Sequence, residues 1–140
     1  MDKTDLKILK HLNKDSRIKK NKLAKLVNLT PPAVATRIEQ LEDEHIIKKY
    51  TIEVDLEKMG YVHQVFIMTE MDYRSLKKYL NFIHSKRNFI RHHYQISGQM
   101  NYMIQGAFHS NAELNDFLTE LGKYANYQVL NVISELIWHC

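Results

Sequence analysis

The stretch NKLAKLVNLTPPAVATRIEQL, residues 21–41, decides the fold of the N-terminal part of the chain, because apolar residues recur in it at helical spacing. The members of its two apolar runs are Leu23, Val27 and Leu29, then Val34, Ile38 and Leu41. Ala24 is small, as the close approach of two crossing helices requires. Asn28 lies between the runs, and asparagine adopts the left-handed backbone conformation at low cost. We therefore predict two short helices joined by a tight turn.

The second of these helices has the surface of a helix that enters the major groove of DNA. Its apolar residues face inward, so a helical projection turns small and hydrogen-bonding side chains outward. Methyl groups suit thymine, and Gln or Arg suits purines. The candidate base-contacting residues are Thr30, Pro31, Pro32, Ala33, Thr36, Arg37 and Gln40. A helical hairpin with a solvated face would give the same pattern.

The start of this helix is sharply marked. Thr30 offers a hydroxyl as the N-cap, and Pro31 occupies the first turn, where a missing N–H costs no hydrogen bond. A first helix over Asp5–Leu12 carries its own apolar stripe, which can lie across the helical pair. We expect a three-helix, winged helix-turn-helix domain over residues 1–45.

The charge distribution favours a nucleic acid as the partner of this domain. Residues 1–37 carry ten Lys or Arg and three Asp, a net charge of +7, whereas the rest of the chain carries −3. Such an asymmetry suits the neutralisation of phosphates at one end of the chain. The candidate phosphate-contacting residues next to the groove-entry helix are Lys19, Lys20, Lys22 and Lys25.

The composition excludes several classes of protein. The 140 residues are 44% hydrophobic, enough for one medium domain or two small ones. No apolar run is long enough to span a bilayer, and no basic-then-apolar leader precedes the first helix. The single cysteine, Cys140, has no partner within the chain. We expect a cytoplasmic, nucleoid-associated protein without a catalytic thiol.

The second half of the chain has a different pattern. Residues 46–54 alternate like a connecting strand, and a hinge follows around Asp55–Gly60. The predicted elements after the hinge are a strand over Val62–Met71, a helix over Arg74–Ser85, strands over Phe89–Ser97 and Asn101–Phe108, a helix opened by a Ser110–Glu113 capping box, and a strand over Tyr127–Ile137. This order predicts a βαββαβ, ferredoxin-like domain over residues 61–140, and an α+β fold for the whole chain.

The strand over Val62–Met71 is apolar on both of its faces. Helices would cover one face of the sheet, so the other face needs a second cover. A second copy of the same sheet is the simplest one. We therefore expect a homodimer.

The sequence offers little for metal or cofactor chemistry. His92 and His93 are adjacent in a predicted strand, so their side chains point to opposite faces and cannot chelate one ion together. His139 and Cys140 have no carboxylate or second thiol nearby in the sequence. There is no glycine-rich phosphate loop and no nucleophile elbow. We predict no metal, no cofactor and no enzymatic activity.

A set of residues spread along the chain resembles the Lrp/AsnC (feast/famine) family of prokaryotic transcription regulators. The residues that carry the resemblance are Asp5, Ile8, Leu9, Leu12, Asp15, Arg17, Ile18, Leu23, Ala24, Val27, Leu29, Thr30, Val34, Arg37, Ile38, Leu41, Ile47, Val54, Asp55 and Gly60. The resemblance implies a regulator that binds a pseudo-palindromic operator in double-stranded DNA as a dimer or octamer. It also implies an effector and oligomerisation domain that responds to an amino acid or a related small molecule.

The resemblance places an effector pocket between protomers, at a turn that reads Gly-x-x-Asp in the family. The turn here is Gly98-Gln99-Met100-Asn101, so an amide replaces the carboxylate and loses the charge-assisted contact to an ammonium group. Backbone N–H groups of residues 98–100 remain suited to a carboxylate. Ser134 lies near a hydroxyl position of the family pattern, and His45 replaces a glycine after the groove-entry helix. A plain hairpin turn is the alternative interpretation of residues 98–101.

Two alternative functions fit the same architecture. Sirohaem decarboxylases resemble it and place histidine and arginine over a tetrapyrrole, a role that Arg91, His92 and His93 could take. The basic N-terminal half argues against that interpretation, because a decarboxylase has no need of it. The second alternative is an architectural nucleoid protein that wraps DNA with little sequence choice.

Overall fold

The computed structural model describes residues 1–137, and within them the chain divides into two compact units. Unit 1 comprises Met1–Glu53 and unit 2 comprises Val54–Glu135. None of the helices in the described part is long and apolar enough to cross a membrane. His139 and Cys140 lie outside the described residues.

Unit 1 consists of three helices, as the sequence predicts. They are α1 (Lys3–Lys14), α2 (Lys20–Val27) and α3 (Pro31–Asp43). Asn28 ends α2 in the left-handed conformation, with φ of 57°. Thr30 caps α3, and its Oγ1 accepts a hydrogen bond from the Ala33 N–H over 3.3 Å. The turn and the start of the groove-entry helix are therefore confirmed.

The core of unit 1 is closed by its own three helices. The buried side chains that fill it are Ile8, Leu23, Ala24, Val27, Val34, Ile38 and Leu41. The first helix begins two residues before the predicted Asp5, because Asp2 and Asp5 form a reciprocal capping box at its start. Both apolar runs of the 21–41 stretch contribute to this core.

The strand predicted over residues 46–54 is not formed, and unit 1 has no β-wing within the described residues. A strand needs a neighbour for its hydrogen-bond ladder, and the described residues supply none for this segment. Ile52 is 80% exposed, and the Tyr50 hydroxyl donates to a Glu42 carboxylate oxygen over 2.9 Å. The segment therefore stays extended without a partner.

Unit 2 has the βαββαβ order that the sequence predicts. Its elements are β1 (His63–Glu70), α4 (Leu76–Ser85), a 3₁₀ turn (Arg87–Phe89), β2 (Ile90–Gln95), β3 (Tyr102–Phe108), α5 (Asn111–Leu121) and β4 (Asn126–Asn131). The sheet is antiparallel with strand order β2-β3-β1-β4. The ferredoxin-like, α+β expectation is confirmed.

One face of this sheet packs against both helices and the other face is left uncovered by them. The buried core on the helix side contains Val65, Ile67, Tyr79, Phe82, Ile83, Ile104, Phe108, Leu114, Phe117 and Leu121. The opposite side, called the open face below, is built from pairs such as Phe66 with Gln105 and Met68 with Met103. Its members are Gln64, Phe66, Met68, His92, Tyr94, Met103, Gln105, Gln128 and Leu130.

Two local expectations for unit 2 are wrong. The last strand ends at Asn131 rather than Ile137, because the chain leaves the ladder after the Val132 N–H donates to the Gln64 carbonyl. Ile133 is then 97% exposed. The capping box of α5 is only half formed: Ser110 Oγ accepts from the Glu113 N–H, whereas the Glu113 carboxylate accepts from the backbone N–H of His109.

Candidate nucleic-acid interface and ligand turn

The predicted groove-entry surface is exposed along α3. Thr30, Pro31, Pro32, Thr36 and Gln40 are exposed, and Ala33 is half-buried. The start of α3 has no acidic residue, whereas its end and the residue after it carry the carboxylates Glu39, Glu42, Asp43 and Glu44. A DNA phosphate is therefore favoured only near the beginning of the helix, where recognition helices make their base contacts.

Two polar side chains on this surface are already hydrogen-bonded. The Thr36 hydroxyl donates to the Pro32 carbonyl over 3.1 Å, which leaves its methyl group and its oxygen lone pairs for a base. The Gln40 amide donates to a Glu44 carboxylate oxygen over 3.1 Å. Gln40 must therefore leave Glu44 before it can bind a purine.

Arg37 has partners within unit 1. Its Nη1 lies 2.8 Å from both carboxylate oxygens of Asp2 and 3.1 Å from Asp5 Oδ1. The hydrogen bond from Arg37 lowers the pKa of Asp2 to about 2, helped by the Asp5 N–H, and the same pair raises the pKa of Arg37. The guanidinium thus ties α1 to α3, a role that the sequence prediction of base contact missed. The Asp2-x-x-Asp5 spacing was the available signal.

The four lysines predicted to contact phosphates lie on or just before α2. Lys19 precedes the helix as its N-cap residue, and Lys20, Lys22 and Lys25 lie within it. All four are exposed, and none forms an ion pair within residues 1–137. Their positive charges are therefore available to an external anion.

The Gly98–Asn101 segment connects β2 to β3 and is anchored on the end of β1. Gly98 has φ of +135°, a conformation that favours glycine. The Asn101 N–H donates to the Thr69 carbonyl over 3.0 Å, and Asn101 Oδ1 accepts from the Met71 N–H over 3.3 Å. The amide oxygen is thus used for the fold, while an amide also carries N–H donors that a carboxylate lacks.

Ser134 was predicted to lie in the last strand near this turn, and that placement is wrong. It is an exposed residue in the irregular segment three positions beyond the end of β4. The segment departs from the sheet because no strand pairs with it among the described residues. Gln99 and Asn101 are exposed beside Gly98, and Met100 is half-buried.

A buried polar network lies beneath the ligand turn, and the sequence gave no periodic signal for it. Tyr79 Oη is 2.8 Å from Thr69 Oγ1 and 2.9 Å from His93 Nε2. Tyr102 packs against both rings. Burial raises the pKa of Tyr79 to about 12 and lowers the pKa of His93. Both groups are therefore held in their neutral forms near neutral pH.

The adjacent histidines lie on opposite faces of the sheet, as predicted. His93 pairs with Ile104 and contacts Tyr79 on the helix side, whereas His92 pairs with Gln105 and stacks on Tyr94 on the open face. Within residues 1–137, no group of three or more His, Cys, Asp or Glu is arranged to hold a metal ion.

An exposed groove-entry helix, a cationic surface beside it and a separate βαββαβ unit define a two-part, DNA-binding transcription regulator. Residues 1–48 match the family model for winged helix-turn-helix DNA-binding domains. The regulator LrpA of Bacillus subtilis is 38% identical over 96% of this chain and 99% of its own length. The chain belongs to the Lrp/AsnC family of transcription regulators.

The fold matches solved structures of that class over the whole chain. The structure of Bacillus subtilis LrpC has a TM-score of 0.87 and 32% identity, and the match covers 98% of this chain and 97% of LrpC. A transcriptional regulator from Neisseria meningitidis, solved as its complex with L-methionine, has a TM-score of 0.89 and 24% identity over 99% of this chain and 93% of its own. The second match, at this identity, concerns the fold alone.

Proposed function

We propose that the chain acts as a homodimer that inserts the first half of α3 into the major groove of a pseudo-palindromic operator. The observation that carries this proposal is the exposed, acid-free beginning of α3 beside four unpaired lysines. Thr30, Pro32, Ala33 and Thr36 contact bases, while the lysines contact phosphates. Arg37 holds α1 against α3, so its contribution to DNA binding is indirect.

The proposed dimer forms through the open face of unit 2. Phe66, Met68, Met103 and Leu130 give this face an apolar centre, and its central rows carry no formal charge. A surface without formal charge can meet a copy of itself without like-charge repulsion. Dimerisation then presents two copies of α3 to half-sites that lie about one DNA turn, or a multiple of it, apart. An octamer would be built from four such dimers.

We further propose that an amino acid or a related molecule binds at the Gly98–Asn101 turn. The L-methionine complex of the Neisseria relative supports a ligand of this class. Asn101 offers N–H donors to the ligand carboxylate, and the backbone N–H groups of Gly98–Met100 add to them. The turn is hydrogen-bonded to Thr69 and Met71 at the end of β1, so a ligand there would act on the central strand of the sheet.

The chain is proposed to work in the cytoplasm on the nucleoid, and not as an enzyme. The decarboxylase alternative requires Arg91, His92 and His93 to act on one ligand, yet His92 and His93 lie on opposite faces of the sheet. His93 Nε2 is also engaged with the Tyr79 hydroxyl. The DNA-wrapping alternative is separated from the operator proposal by the ratio of specific to nonspecific affinity.

The first experiment measures fluorescence anisotropy on the protein's own upstream DNA and on a scrambled duplex, over a range of salt concentrations. Selective binding is expected, and Lys20→Ala and Lys22→Ala should each flatten the slope of log affinity against log salt by about one unit. Lys123→Ala, an exposed lysine of unit 2, is the matched control. Equal affinity for both duplexes would overturn the operator proposal in favour of wrapping.

A second experiment titrates the twenty amino acids into the protein by isothermal calorimetry. Heat is expected with at least one of them, and Gln99→Ala should bind like the wild type, because that side chain is not needed for the backbone contacts. Asn101→Ala should lose the binding. If no amino acid gives heat, the effector proposal fails while the DNA proposal stands.

A further inference from the structure

Unit 2 carries a basic surface that the overall charge of the second half conceals. Between Tyr73 and Ala112 the chain has six Lys or Arg and no Asp or Glu, although residues 38–140 together carry −3. Three of these six cations lie at the start of α4: Arg74 precedes its N-cap, and Lys77 and Lys78 lie in its first turn. All three are exposed.

These three cations do not stabilise the fold. The beginning of a helix bears the positive end of the backbone dipole, so lysines in the first turn are unfavourable there. Lys86 and Arg87, in contrast, have structural partners: Lys86 Nζ lies 3.2 Å from Glu120, and Arg87 donates to the His84 carbonyl over 3.1 Å. Within residues 1–137, Arg74, Lys77 and Lys78 form no ion pair.

The acidic residue nearest in sequence does not neutralise this cluster. Asp72 Oδ1 accepts a hydrogen bond from the Ser75 N–H over 3.1 Å and so caps the turn before α4. Its single charge stands against three cations. The cluster therefore keeps a positive excess that folding does not use, and an external anion accounts for it.

The shape of the surface suits a chain of phosphates. Arg74 and Lys77 line a shallow cavity of about 480 Å³ together with Tyr73, Leu80 and Asn81. Tyr73 is 90% exposed and offers a hydroxyl donor and an aromatic ring. Guanidinium, ammonium, amide and phenol donors are the groups that contact phosphate and sugar in protein–DNA interfaces.

We propose that Tyr73, Arg74, Lys77, Lys78 and Asn81, here the α4 basic surface, form a second contact to the DNA backbone that is independent of base sequence. This inference rests on the proposed function, because unit 1 must first bring DNA to the protein. The competing occupant is the acidic side of α5 in a second copy of the chain, which carries Glu113, Asp116 and Glu120. DNA is favoured because the established class of the protein already supplies it as a partner.

The test is the double variant Lys77→Glu, Lys78→Glu in the full-length protein. Glutamate in the first turn of a helix is favourable, so the thermal midpoint is expected to stay or rise. Affinity for an operator duplex with long flanks should fall at least about tenfold, and the double alanine variant should flatten the salt slope by about two units. Lys123→Glu is the control and should bind like the wild type.

Each outcome separates this surface from the operator contacts. Lys20→Ala, Lys22→Ala should weaken selective binding to the operator, whereas the α4 variants should weaken specific and scrambled DNA by the same factor. If the α4 variants bind with wild-type affinity and slope, the inference is wrong. It is also overturned if they change the sedimentation coefficient of the free protein, because the surface then contacts a second copy. A wild type that fails to bind DNA would instead defeat the proposed function.

Discussion

The two units of this molecule bury their apolar residues in different ways. Unit 1 closes a core of seven side chains with three helices of its own. Unit 2 covers one side of its sheet with α4 and α5 and leaves Phe66, Met68 and Met103 half-exposed on the other. The comparison teaches that unit 1 is complete as a folding unit, whereas unit 2 is one layer short.

The largest effect is expected from a charge on the open face. Met68→Lys would place two ammonium groups in a symmetric interface, and each costs several kcal/mol when buried without a partner. We expect the variant to sediment as a monomer. Asn115→Lys, on the exposed side of α5, is the matched control and should leave the assembly unchanged. A Met68→Lys protein with wild-type mass would show that the open face is not the interface.

A smaller but still large effect is expected inside unit 1. Leu23 is fully buried between the helices, so Leu23→Ala should lower the free energy of unfolding of unit 1 by about 2–5 kcal/mol. Amide hydrogen exchange should accelerate in α3 while the amides of β3 keep their protection. Equal acceleration in both units would contradict the view that unit 1 closes its own core independently.

The same difference explains how much of the fold could be predicted from the sequence. The helix-turn-helix depends on local signals, and Asn28, Thr30 and Pro31 act on their immediate neighbours. Element order in unit 2 was also predictable, because each strand and helix has its own period. The segment over residues 46–54 has the right alternation, but a strand forms only when another strand pairs with it.

The candidate sites were predictable only in part, because some of their contacts join distant parts of the chain. Arg37 lies on the expected side of α3, yet Asp2 holds it across 35 positions of sequence. The Thr69–Tyr79–His93 network joins a strand, a helix and another strand, and no periodic pattern marks such a combination. A single sequence shows which side chains face inward but not which polar groups meet there.

The two units should also differ in their response to acid. Burial lowers the pKa of His93 below its usual 6.5, so unit 2 has the full contribution of this group above pH 6.5 and loses it as the pH falls below that value. In unit 1 the pKa of Asp2 falls from 3.8 to about 2, so its contribution is complete above pH 3.8 and is lost as the pH falls towards 2.

Urea unfolding followed by hydrogen exchange at pH 7 and pH 5 would measure this contrast. Unit 2 is expected to lose stability between the two values through His93, while the Asp2–Arg37 pair of unit 1 keeps its contribution. His93→Gln preserves an acceptor for Tyr79 and removes the titrating ring, so it should reduce the pH dependence of unit 2. An unchanged dependence in this variant would assign the acid sensitivity to another group.

The smallest effect concerns backbone conformation, where the units again differ. Among the described residues, the positive φ angles of unit 2 fall on Gly60 and Gly98, whereas those of unit 1 fall on Asn28 and His45. His45 has φ of 56° after the end of α3, and a left-handed residue with a side chain costs roughly 1–2 kcal/mol. His45→Gly should raise the free energy of unfolding by about 0.5–1 kcal/mol, because glycine also loses more chain entropy on folding. Asn28→Gly is the internal control and should gain less, since asparagine tolerates this conformation; a gain equal to that of His45→Gly would contradict the assignment of strain to His45.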